Sequence, residues 1–520
     1  MHKIITLIRY CFLLISITFL TTQNSNAKTL RWKVLNTSWS KDQDLLYQNF
    51  IHGLGVARKN GKCRTLNDCL KSPIANPIFY NKNPTALDTI FSDCADLPFV
   101  LRAYFSWMND LPFSYPTELV EAKSLSKKES DIRYSKYGNI ITNKDSILGG
   151  ENVNDVFQNI VDSISTASFR TNASKNDSGE YFRDTYPVDI NRQAIIPGTV
   201  LYDPNGHVAV VYEVTNNGKI HLIDAHPDNS LTTITYGEKF VRTGVKIGAG
   251  FSNFRPFNLI RNEIVPVNNK NLSEYSLIQF QKDPFIYKGQ EVSFYEYVRI
   301  KLTDGVIIYD PLLEFSNYLD EICQDVKDRK AAVDLAHQAG IENWSHPQLL
   351  PENIYGSDGD WETYATPSRD ARLKASIRET KEFLTKMIKG QNNPEVKIKY
   401  TGADLVKDLR DIYLNKTNSC SISIAQNISL NLDEVLVRLF DLSFDPYHCV
   451  ELRWGQVPTH ACSTTTNKNK WYKAEQGLRN RIDRNYSMRT NYDVDTLPNA
   501  PVSNVERPDL SFDQLLEINR

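Results

Sequence analysis

From Cys94 onward, Leu97, Leu101, Tyr104, Phe105 and Met108 recur at three- and four-residue steps, which predicts an amphipathic helix ending near Asn109-Asp110. Proline lacks the N–H that a helix interior needs, so Pro98 must sit near the start, placing the first turn at about Cys94 to Ala95. Residues 28–92 mix short apolar runs with Gly, Asn and Pro and read as loops, a short helix and irregular structure. Residues 116–180 are polar and read as an insertion, interrupted by one helix whose Val153, Phe157, Ile160, Val161 and Ile164 share a face. The run PGTVLYDPNGHVAVVYEVTNNGKIHLIDAHPDNS then predicts an antiparallel meander. It comprises an apolar strand, the turn Asp203-Pro204-Asn205-Gly206, a strand from His207 to Val214, an Asn-Gly turn, and a strand from Ile220 to Ala225. The Gly-rich segment 244–257 adds a further strand.

Residues 261–310 read as linker plus strands (VSFYEYVRIKL, GVIIYD), after which helical periodicity takes over. Helices are predicted over 312–339, 368–389 with Ser368 as N-cap and Gly390 as stop, 402–414, 432–441 and 470–484. The fold class is therefore α+β. An N-terminal mixed domain spans 28–260, a connecting segment 261–310, and a mainly α-helical domain 311–520. A 520-residue chain exceeds what one hydrophobic core usually organises, which agrees with this division.

The first 27 residues carry a basic start (His2, Lys3, Arg9), the apolar run CFLLISITFL, and a polar end at Ser25-Asn26-Ala27. About ten apolar residues are too few to span a bilayer, so the pattern is that of a secretory signal peptide cut after Ala27, with no membrane anchor remaining. The expected location is periplasmic or secreted. Charge is nearly balanced, with 60 Lys+Arg against 62 Asp+Glu, and nothing draws in nucleic acid.

Removing the leader takes Cys11 and leaves seven cysteines: Cys63, Cys69, Cys94, Cys323, Cys420, Cys449 and Cys462. Cysteines of exported proteins tend to pair, and the close spacings suggest Cys63–Cys69 and Cys449–Cys462, with Cys323–Cys420 as the remaining pair. Cys94 is left over as a free thiol.

The same residue has chemical potential. A helix start stabilises a thiolate through its unpaired N–H groups and dipole, and a thiolate nucleophile needs an imidazole partner. His207, first in a strand after a tight turn, can project from the sheet edge toward that helix. A third group should hold the imidazole, and both Asp224 and His226 qualify. With Asn217-Gly218 as a two-residue turn, 211 pairs with 224 and 209 with 226, placing His207, Asp224 and His226 on one face. A one-residue slip would present His221 instead. Asp224, inside the strand, is preferred to His226, which precedes Pro227 and could line the pocket; turn chemistry in DAHPDNS is the bland alternative for both.

Asp93-Cys94-Ala95-Asp96-Leu97, Pro197-Gly198-Thr199-Val200-Leu201-Tyr202 and Gly206-His207-Val208-Ala209-Val210-Val211 together resemble the NlpC-type branch of the papain-like cysteine peptidases. The resemblance covers about residues 90–230. It implies a nucleophilic Cys94, a base His207 and an orienting Asp224 or His226, in an exported hydrolase acting on peptidoglycan stem peptides or other amides. The 113 positions between Cys94 and His207 exceed the usual spacing, and an aspartate 17 positions after the histidine is equally similar to transglutaminase-like proteins, which act on protein amides. Expected partners are thus peptidoglycan or a protein or peptide substrate, with no cofactor and no metal. A binding protein that retains the fold without turnover is the remaining alternative.

Two further features stand out. Residues 343–370 place Trp344, His346, Tyr355, Trp361 and Tyr364 in a long irregular stretch suited to binding polymeric glycan or peptide, or to stapling a loop onto the helical domain. His448-Cys449 and His460-Ala461-Cys462 have the composition of a metal site, but in an exported protein a disulfide is the preferred reading.

Overall fold

The computed structural model describes residues 30–123, 131–174, 183–304, 306–351, 353–355, 359–390, 396–457, 466–482, 492–500 and 505–518. The signal segment, His460 and Cys462 lie outside the described residues. The chain is a mixed α+β structure. Helix α1 (Lys41–Lys59) starts where Ser40 accepts from the Gln43 N–H and buries Tyr47, Phe50, Ile51 and Leu54. These 19 residues correct the expectation of mostly irregular structure over 28–92; Gly53 and Gly55 dilute the helical signal, and the buried face outweighs them.

Helix α2 (Leu97–Met108) has all twelve residues buried, so its sequence is apolar on every side. Regular helix begins three residues later than expected, but Asp93 extends the turn. Its carboxylate accepts from the Ala95 N–H at 2.7 Å and the Asp96 N–H at 3.3 Å, and its carbonyl accepts from Leu97 at 3.2 Å. The Arg102 guanidinium of α2 lies over the Trp39 ring at 3.1 Å, and burial pushes it down to about 10.

The expected insertion contains two strands that polar composition concealed: β1 (Phe113–Glu121) pairs antiparallel with β2 (Asn139–Ile147), followed by α3 (Val153–Ser163). Strands β3 (Thr185–Pro187), β4 (Val200–Asp203), β5 (His207–Val214), β6 (Ile220–Ala225), β7 (Leu231–Thr235) and β8 (Gly250–Phe254) form one antiparallel sheet in the order β3-β8-β4-β5-β6-β7. Val208, Val210, Tyr212, Ile223 and Ala225 share an apolar cluster with α1 and α2. Ala209, Val211, Ile220 and Leu222, on the other face, share one with Phe285, Phe294, Val298 and Leu302. The segment expected to be a linker therefore covers the second face of the sheet.

Within that segment, VSFYEYVRIKL is helix α4 (Phe294–Leu302) and not a strand, because Ser293 caps it and Val298 and Leu302 fall on its buried side. Helices α5 (Pro311–Gln338), α6 (Gly359–Tyr364), α7 (Pro367–Lys389) and α8 (Leu405–Ser419) dominate the second half. Ser368 is inside α7, not its cap, and its hydroxyl donates to the Tyr355 carbonyl. Helix Leu432–Val437 is shorter than expected, and the last predicted helix breaks at Glu475 into Thr466–Ala474 and Gln476–Arg479. Arg329 of α5 pairs with Asp370 of α7 at 2.7 Å, both buried.

Disulfides join Cys63 to Cys69 and Cys323 to Cys420. Cys449 is also disulfide-bonded, and Cys94 is free. Among the described residues no helix is long and apolar enough to cross a membrane.

The closeness of α1 to β5 depends on Gly55, where a Cβ would meet Tyr212 Cγ at 2.1 Å. Gly55→Ala should cost about 1–3 kcal/mol of stability in urea unfolding, as overpacked cores do.

Candidate active site

The sheet presents His207 through a turn built by its own side chains. Asp203 accepts from the Asn205 N–H at 2.9 Å, and Gly206 adopts φ +78°, where an added Cβ would lie 2.8 Å from the Tyr134 hydroxyl. Arg170 fixes the same turn to the β1–β2 region, donating to the carbonyls of Ser135 at 2.7 Å and Pro204 at 3.1 Å.

Cys94 lies beside this turn. Its thiol is 4.0 Å from the Gly206 carbonyl and accepts from the Val208 N–H, so it contacts the main chain on both sides of His207. His207 Nε2 is 2.8 Å from Asp224 Oδ2, with Asp224 fully buried and His207 nearly so. The five residues Thr215 to Lys219 close the β5–β6 loop, not a two-residue turn. Val210 accordingly pairs with Ile223 and Val211 with Leu222, and a bulge near Tyr212 absorbs the slip. Parity is preserved, so His207, Asp224 and His226 still come together. His221 faces away and meets Thr235 at 3.1 Å.

Of the two orienting candidates, Asp224 touches His207 and His226 acts at one remove. The Thr232 hydroxyl donates to Asp224 Oδ1, so it can only accept from His226 Nε2, 3.1 Å away. Burial, Arg369 and Arg372 push His226 down to about 3, against the pull of Asp224. Burial would raise the Asp224 carboxyl, but His226, His207 and Arg372 outweigh it and hold it well below the usual carboxylate range.

Arg372, in the first turns of α7, is the residue that sequence reasoning missed. Its Nη1 lies 3.1 Å from His207 Nε2 and 3.9 Å from Asp224 Oδ2. The two neighbours ask opposite things of Nε2, since donation to Asp224 needs a proton there and acceptance from Arg372 needs a lone pair. Only the Arg372 contact has hydrogen-bond geometry, and Asp224 Oδ2 has no hydrogen-bond partner among the described residues, so Asp224 acts on the imidazole through its charge at 2.8 Å.

Burial, and after it the Asp93 carboxylate, push the Cys94 thiol well above its ordinary value; the Val208 N–H and Arg372 oppose this without offsetting it. Asp96, two residues on, is itself pushed up by burial and Asp93. The helix start is thus acidic, which counteracts the thiolate stabilisation expected from its dipole. Both effects favour the protonated thiol at Cys94.

Cys94, His207 and His226 open into a cavity of about 140 Å³ whose opposite wall comes from the helical half: Tyr355, Trp361, Arg369 and Arg372. Arg133, Tyr134 and Thr166 from the 116–180 region complete it. Tyr355 and Trp361 of the aromatic stretch therefore reach the site, while Trp344 is 47% exposed elsewhere. A second cluster, outside the expected set, joins His346, Asp445, His448 and Glu475 in the helical half.

Asp93→Asn retains a capping side chain but removes the charge beside the thiol. Mass-spectrometric alkylation with iodoacetamide should show wild-type Cys94 labelling with a midpoint above the ordinary thiol value of about 8.5, and the variant labelling at lower pH. Asp224's depressed pKa adds stability that is full above about pH 4 and is lost as pH falls toward the folded value. Asp224→Asn should therefore cost about 3–5 kcal/mol at pH 7 in denaturant unfolding, with the gap to wild type narrowing below about pH 4.

No family model matches the chain, and no curated protein or solved structure is significantly similar to it.

Proposed function

We propose that this protein is an exported thiol-dependent hydrolase of amide bonds, with a papain-like catalytic half and peptidoglycan stem peptides as its substrate class. The contact of His207 Nε2 with the buried Asp224 carboxylate, beside the free Cys94, carries this reading. The disulfides are compatible with a non-cytoplasmic location.

The steps follow from the protonation states. The His207 imidazole takes the Cys94 proton as the sulfur attacks the amide carbonyl, so base and nucleophile act together. Asp224 stabilises the imidazolium that forms, which then protonates the leaving amine, and water releases the acyl group from Cys94. The Ala95 and Asp96 N–H groups are engaged by Asp93, leaving the Cys94 N–H as the oxyanion donor of this turn. Three guanidinium groups and three aromatic rings on the cavity wall suit a peptide bearing carboxylates, and a volume of about 140 Å³ takes the reacting segment while the polymer lies outside.

One observation favours a second reading, transglutaminase-like chemistry on protein amides: the group touching His207 is Asp224, not His226. Digestion of purified sacculi and of a glutamine-containing protein by the mature chain separates the two. Soluble muropeptides with cleaved stems, absent with Cys94→Ala, are expected; ammonia release or protein crosslinks would favour the second reading, and neither product would refute both.

A further inference from the structure

The helical half holds a group of side chains that the thiol chemistry does not use. The ligand atoms of His346, Asp445, His448 and Glu475 lie within 4.8 Å of one another, and all four side chains have no exposed surface. They come from three separate segments: the loop after α5, the turn before helix Val450–Arg453, and the break between Thr466–Ala474 and Gln476–Arg479.

Three of the four ligands are oriented from behind. His346 Nδ1 is 2.6 Å from the Pro347 carbonyl and Nε2 is 2.6 Å from Asp445 Oδ2; both oxygens can only accept, so the ring donates at each nitrogen, and an ion would take the place of the Nε2 proton. The His346 ring is stacked on Trp471 at 4.2 Å. Asp445 Oδ1 accepts from the Tyr447 N–H at 2.8 Å, which aims Oδ2 inward. His448 Nδ1 meets the Ser443 hydroxyl at 2.6 Å, and its Nε2, 3.7 Å from Asp445 Oδ2, has no hydrogen-bond partner among the described residues. Both Glu475 oxygens likewise lack a hydrogen-bond donor, the nearest cation being Arg479 Nη1 at 3.7 Å. Imidazoles held through Nδ1 by oxygen atoms, with Nε2 converging on carboxylates, are the outer-shell arrangement of metal ligands.

We propose that His346, Asp445, His448 and Glu475 bind one zinc ion in a closed, structural site. Two imidazole nitrogens and two carboxylate oxygens suit tetrahedral zinc, and the ion neutralises the two carboxylates among fully buried side chains. Binding opens the 2.6 Å contact to about 3.3 Å, the edge of a tetrahedron with bonds of ~2.0 Å, and draws the longer separations in. The ion ties the loop bearing His346 to Trp471, within an apolar cluster that includes Ile354 and Trp361, both on the wall of the Cys94 cavity. The site is independent of whatever reaction Cys94 performs.

Elemental analysis of the purified mature chain, followed by chelation and titration with Zn²⁺ and Co²⁺, tests this. One equivalent of zinc per chain, retained in Cys94→Ala and lost in His448→Ala and Glu475→Gln, is expected, with Co²⁺ giving the visible absorption of a tetrahedral site and zinc raising the melting temperature. If the variants fail to fold, the wild-type titration decides. Less than ~0.1 equivalent on folded wild type after incubation with zinc, or one equivalent still held by folded variants, would overturn it.

Discussion

A buried ionised carboxylate must be surrounded by donors and cations or it will not stay ionised. Asp224, with no exposed surface, meets that requirement through groups on four elements: His207 on β5, Thr232 on β7, His226 just beyond β6, and Arg372 on α7. The first three are local to the sheet. The fourth brings the helical half against it, so the same charge that orients the imidazole also closes the cavity over Cys94. Glu314 of α5 does similar work at the far end of the meander, where Lys219 at 2.7 Å and Arg299 at 3.0 Å hold it and anchor the β5–β6 loop.

The electrostatic consequence is a division of labour. In the proposed mechanism Asp224 stays charged and supports His207 as the base, while burial and Asp93 favour the protonated Cys94 thiol. Activation then belongs to the moment of attack and not to the resting state. Substrate that excludes Asp93 from the thiol, or engages its charge, would lower that barrier, which ties turnover to a filled cavity.

Much of the site was legible in the sequence because its logic is local. Cysteine counting isolated Cys94, a tight turn placed His207 at a strand start, and strand parity put Asp224 and His226 beside it. Parity held even though the register did not, since the bulge near Tyr212 compensated for the longer loop. What escaped was non-local or hidden by composition. Arg372 lies 165 residues from His207, and no spacing rule links them. β1 and β2 satisfy each other's backbone while showing polar side chains to solvent, so they read as insertion. The VSFYEYVRIKL segment has strand-like composition, and its Ser293 cap and packing against the sheet decide for helix. His448 was noticed for its neighbour Cys449, yet its partners are Asp445, Glu475 and His346, the last about a hundred residues away, so the cluster emerges only from tertiary packing.

The proposed function stands on acyl transfer to Cys94 driven by the His207 imidazole, whatever the natural substrate. Rapid-quench mass spectrometry with an activated ester, p-nitrophenyl acetate, tests this step. Acetylation of Cys94 followed by release is expected, with both steps slowed about 10²–10⁴-fold in His207→Ala. Equal acetylation in the two proteins, or none on Cys94 in either, would contradict it.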